Sequence, residues 1–150
     1  MKTLILGLGN PFLGDDGVGI FIASKLGKLK LNVDIKKVCA SGFAILDEIQ
    51  GYDRLILIDS IKTKDGKPGD IYKLGLESLK ESIHLCSPHG INLATAIEVG
   101  KLIGLELPEE IIICAVEVKD TSFREGCTPE VKRAIPKAVG MILGLLKSDV

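Results

Sequence analysis

Thr3-Leu4-Ile5-Leu6-Gly7-Leu8-Gly9-Asn10-Pro11-Phe12-Leu13-Gly14-Asp15-Asp16-Gly17 is the stretch on which the fold turns. Its first six residues are almost unbroken in apolar character, with no alternation, as in a strand covered on both faces. Glycine, asparagine, proline and aspartate then crowd together as turn residues do. From Gly17 to Leu29 the apolar positions recur at helical spacing. A buried strand, a turn and a helix in that order open an α/β domain.

The alternation continues down the chain. Further strands are predicted at Asp34 to Cys39, Leu55 to Ile58, Ile71 to Lys73 and Ile111 to Val118. Helices are predicted at Phe43 to Gln50, Leu76 to Ser82, Leu93 to Ile103 and Pro129 to Leu146. The fold class that follows is α/β: a single-domain, three-layer sandwich over residues 1–150, its mostly parallel sheet of about five strands flanked by helices. The second strand alternates more than the others and belongs nearer an edge. Thr128 before Pro129 is an N-cap ahead of a first-turn proline, and Pro136 predicts a kink or break near Ala134 or Ile135. The polar run Lys62 to Asp70 reads as a surface loop.

With 46% apolar and 26% charged residues the chain lies outside the disordered regime. A formal charge of −1 gives no broad attraction to nucleic acid or to anionic membranes. The apolar start, Met1 to Gly7, is far shorter than the roughly 20 residues of a membrane span and carries no leader cleavage pattern, which predicts a cytoplasmic protein without membrane insertion. Cys39, Cys86, Cys114 and Cys127 form no Cys-x-x-Cys pair and read as free thiols.

Gly7-Leu8-Gly9-Asn10-Pro11-Phe12 begins like a dinucleotide fingerprint, but Phe12 stands where the third glycine should be. The second strand also ends in Cys39-Ala40-Ser41-Gly42 without an acid to hold a ribose, so no nucleotide cofactor is expected. Three other groups can carry chemistry. Of Asp15 and Asp16, one is expected to cap the following helix and the other to point over the carboxyl edge of the sheet. Asp59 follows the run Leu55-Ile56-Leu57-Ile58, and His89 lies in Ser87-Pro88-His89-Gly90, a turn ahead of a helix; His84 belongs to a helix end. Two carboxylates and an imidazole converging on one edge can form an open site for a borderline divalent metal such as nickel or zinc. A receiver-like phospho-acceptor domain would use Asp15, Asp16, Asp59 and Lys119, but it gives His89 no role and needs the acidic pair nearer to Leu8.

Gly7-Leu8-Gly9-Asn10, Asp15-Asp16-Gly17-Val18-Gly19, Asp59 and Ser87-Pro88-His89, in this order, resemble the hydrogenase maturation proteases. The turn Cys39-Ala40-Ser41-Gly42 and Gly126-Cys127-Thr128-Pro129 extend the resemblance over nearly the whole chain. It implies an endopeptidase that removes a C-terminal extension from the nickel-loaded precursor of a nickel-iron hydrogenase large subunit. It also implies that Asp16, Asp59 and His89 contact the metal and serve catalysis, with nickel supplied by the precursor. A non-catalytic module that only docks on the precursor is the other reading of the same residues. Some members of the family carry glutamate where Asp16 stands, so here the metal or the loop must sit slightly closer. Asp15 could substitute for Asp16.

Overall fold

The computed structural model describes residues 1–39, 42–77 and 88–148, without the side chains of residues 42, 43 and 88–92. Five strands form one sheet: β1 (Thr3–Leu8), β2 (Asp34–Val38), β3 (Arg54–Ile61), β4 (Ile71–Gly75) and β5 (Glu110–Glu117). Their order is β2-β1-β3-β5-β4, with every pairing parallel except β4 against β5. Helix α1 spans Val18–Gly27, α2 Leu46–Ile49, α3 Pro88–Leu102 and α4 Pro129–Lys147. The α/β sandwich is thus as predicted, and β2 does lie at an edge.

Strand period explains the layers. Leu4, Leu6, Leu8, Leu55 and Leu57 point to one face and pack with Ile45, Leu46 and Ile49 around α2 and with Leu93, Ala96 and Ile97 of α3. Ile5, Ile56 and Ile58 point to the other and meet Val18, Ile22 and Leu26 of α1 with Val131, Ile135 and Ile142 of α4. Below the sheet, buried Arg54 approaches the Leu145 carbonyl with both terminal nitrogens at 3.4 Å, and its Nε lies 3.3 Å from Glu110. A guanidinium at the carbonyl end of α4 suits the helix dipole.

Several boundaries differ from the sequence reading. β3 runs on through Asp59 to Ile61, because β5 keeps pairing with it as far as Ile61↔Glu117. The helix expected from Leu93 starts at Pro88, so His89 stands in the first turn of α3 and not in a turn before it; a first-turn proline lacks only an N–H that has no helical partner there. α4 is not interrupted at Pro136. Pro136 and Lys132, whose carbonyl loses its partner, are both exposed, while Ala134, Ile135 and Ala138 stay packed. The helix predicted at Leu76 to Ser82 lies largely outside the described residues, as do His84 and Cys86.

The polar loop after β3 is held by a buried acid. Glu117 accepts the Thr63 N–H at 2.8 Å, the Thr63 hydroxyl at 2.6 Å and the Tyr72 hydroxyl at 2.9 Å. Tyr72 is pushed up by burial first and then by this carboxylate. Tyr52 donates to Asp34 at 2.6 Å, and that bond, followed by burial, raises its phenol to about 12. Stabilisation tied to the neutral Tyr52 phenol is therefore complete below its ordinary pKa near 10 and fades as pH rises through about 12. The chain has only two tyrosines, so the folded protein should show little phenolate absorbance at pH 10. Half-ionisation of both at that pH would contradict these bonds.

Candidate functional site

Chain connections lead away from β1 and β3 toward opposite faces: β1 feeds α1, whereas the chain beyond β3 returns through α3 on the other side. The gap between the carboxyl ends of β1 and β3 is a topological switch point, where open α/β sheets place ligands. Gly19 lets α1 enter this gap, since a Cβ there would fall 2.5 Å from the Ile58 carbonyl oxygen. The loop that reaches it is built by local rules. Asn10 accepts the Phe12 N–H on its side chain at 2.9 Å and the Leu13 N–H on its carbonyl at 3.1 Å, with Pro11 as the first central residue of the turn.

The two adjacent aspartates separate completely. Asp15 is fully buried, and its carboxylate accepts the N–H groups of Lys119 at 2.9 Å, Asp120 at 3.0 Å and Thr128 at 2.6 Å. The Thr128 hydroxyl also donates to it, at 3.0 and 2.9 Å from its two oxygens. Neither aspartate caps α1, which has no side-chain cap, and Thr128 stands at the N-cap position of α4 as predicted but makes no side-chain cap bond, its hydroxyl being turned to Asp15. Asp15 thus ties the loop after β5 to the loop after β1. The backbone completes the tie with Asp15 N–H to Asp120 O at 2.9 Å, Gly14 N–H to Arg124 O at 3.0 Å and Arg124 N–H to Phe12 O at 3.1 Å.

Asp16 faces the switch point. Its Oδ2 accepts the Asn10 N–H at 3.0 Å and its Oδ1 the Ser60 hydroxyl at 2.8 Å. Asp59, 3% exposed, receives the Ser60 N–H at 2.8 Å. The structure therefore brings Asp16 and Asp59 to one edge on either side of a shared neighbour. The backbone of His89 begins α3 on the Asp59 face of the sheet, but its side chain lies outside what is described, so the three-residue set is not assembled here. Among the described residues no group of three His, Cys, Asp or Glu is placed to hold a metal.

Lys119 does not join the acids as a receiver would require. Its amine lies 3.2 Å from Glu130, and the antiparallel β4 departs from the all-parallel order of that fold. Cys114 and Cys127 are buried free thiols, pushed up to about 12 and about 11 chiefly by burial, and Cys39 is exposed. Phe12 and Phe123, 64% and 86% exposed, sit on the two tied loops at the same edge. Sequence reasoning missed Ser60 as part of this edge, and it missed that Thr128 and the loop from Lys119 bond to Asp15. No spacing rule links residues so far apart; the one available signal was that of two adjacent aspartates only one could serve as a ligand.

Among the described residues no helix is long and apolar enough to cross a membrane. A family model described as hydrogenase maturation protease matches residues 22–145. The hydrogenase 2 maturation protease of Escherichia coli is 28% identical, covering 99% of this chain and 93% of its own. A Methanocaldococcus jannaschii protein provisionally named a hydrogenase maturation protease is 31% identical over 96% of each chain. In solved structures, the [NiFe] hydrogenase maturation protease HybD from Thermococcus kodakarensis superposes with a TM-score of 0.83 at 25% identity, covering 97% of this chain and 99% of that one.

The division of labour between the aspartates is measurable by urea unfolding. Asp15→Ala strands three buried N–H groups and should cost about 3 kcal/mol or more, whereas Asp16→Ala should cost about 1 kcal/mol. Equal losses would contradict the assignment.

Proposed function

The chain belongs to the hydrogenase maturation protease family of hydrolases, and on that premise we propose that it removes a C-terminal extension from the nickel-loaded precursor of a nickel-iron hydrogenase large subunit. The reading rests on one observation above all: at the switch point Ser60 donates its hydroxyl to Asp16 and its N–H to Asp59. The name of the Thermococcus kodakarensis relative, which specifies a [NiFe] hydrogenase, supports this substrate class. Residues 1–150 act as one domain in this proposal, in the cytoplasm and without nucleic acid or nucleotide.

Asp16, Asp59 and His89 serve as the ligands that meet nickel carried in by the precursor. Carboxylate and imidazole together suit a borderline ion such as nickel. In this mechanism the metal belongs to the substrate, and the chain's residues use it to register the cleavage peptide at the edge of the sheet. Holding a reacting bond in one geometry is itself a large part of catalysis. A precursor without nickel offers those ligands nothing to grip and is left uncut. Asp16 or Asp59 acts as general base toward the attacking water, which requires an ionised carboxylate within hydrogen-bond reach.

The ligand set is tested by comparing two histidines on a nickel-loaded precursor. His89→Ala should abolish processing and His84→Ala should leave it nearly unchanged. Equal effects would remove His89 from the site.

A further inference from the structure

We propose that Ser60 is a positioning residue that couples the two carboxylates of the site, an inference that rests on the nickel-recognising role proposed for Asp16 and Asp59. Its placement follows from unequal strand lengths. β1 pairs with β3 only as far as Gly7↔Ile58, while β3 continues to Ile61 against β5. The Ile61 carbonyl accepts the Val118 N–H on the β5 side at 3.0 Å. Backbone groups of successive strand residues alternate in direction, so those of Ser60 face the side that β1 has left.

A buried N–H without a ladder partner must find another acceptor. That of Ser60 donates to Asp59 Oδ1 at 2.8 Å. The hydroxyl, on a side chain only 4% exposed, donates to Asp16 Oδ1 at 2.8 Å. Asp16 is held from the other side by the Asn10 N–H at 3.0 Å, so its carboxylate plane is set by one donor from each strand end. One residue thus fixes one proposed ligand through its backbone and the other through its side chain. Partners that orient metal ligands in this way commonly contribute about 10–100-fold to metal affinity or activity.

Ser60→Ala separates the two bonds, because it keeps the N–H to Asp59 and removes only the hydroxyl to Asp16. Three quantities are measured on the full chain: affinity for Ni2+ alone by calorimetry, kcat and KM on nickel-loaded precursor, and the thermal midpoint. Ni2+ affinity and kcat/KM should fall by about 10–100-fold with little change in thermal midpoint. Ser60→Thr, which keeps the hydroxyl, should restore most of the loss. Added to Asp16→Ala, Ser60→Ala should cause no further loss, since the side chain through which the hydroxyl acts is then gone. Unchanged Ni2+ affinity and kcat/KM in Ser60→Ala would overturn the proposal, as would losses that add in the double variant or a loss that Ser60→Thr does not repair. A wild-type chain that binds Ni2+ but cuts no precursor would count against the proposed function alone, with Ser60 still decided by calorimetry. A wild-type chain that does neither would overturn both.

Discussion

A carboxylate sealed from solvent must be given donors in place of the water it has lost, and Asp15 receives three backbone N–H groups and a hydroxyl. Those donors come from the loop after β5 and the residue ahead of α4, far along the chain from Asp15. The bonds therefore close the carboxyl edge of the sheet around one buried charge. They also set the direction of the next residue: with Asp15 turned toward Thr128, Asp16 is left facing β3. The side chain that holds the edge together and the one that faces the site are consecutive, so each depends on the other's orientation.

The second constraint is the mismatch between neighbouring strands. β1 leaves the sheet for the loop that carries both aspartates, and β3 continues beside β5. A step opens where ladder bonding stops on one side of β3 only. In a strand of apolar residues such a step would leave backbone donors buried and unmet. Here Asp59 and Ser60 fill it with polar groups that satisfy one another and reach the Asp16 loop. Gly19, by letting α1 press against Leu8 and Ile58, keeps the gap narrow. Position in the fold and chemistry of the site thus have one origin.

The architecture was legible because uninterrupted apolar runs such as Leu4 to Leu6 and Leu55 to Ile58, short and bounded by turn residues, read as strands covered on both faces, and the more polar Asp34 to Val38 as one nearer an edge. Asp16 and Asp59 were found at the carboxyl edge because strand ends and the turns after them are where α/β sheets expose polar groups. What periodicity could not give was the course of β3 past Asp59, since Asp59 and Ser60 are poor strand formers retained by pairing with β5. Pro136 misled for a related reason: its expected break assumes a buried backbone, and it lies on the wet face of α4. The roles of Asp15 and Ser60 were unreadable because both are defined by partners from other elements, as Lys119, Thr128 and Asp16 show.

Under the proposed function, the carboxyl edge acts on a polypeptide only when that polypeptide brings nickel to Asp16 and Asp59. Intact-mass measurement of nickel-loaded and nickel-free large-subunit precursors, each incubated with this protein, tests it most directly. A loss equal to one C-terminal peptide is expected from the nickel-loaded precursor and none from the nickel-free one. Equal cleavage of both, or cleavage of neither, would contradict it.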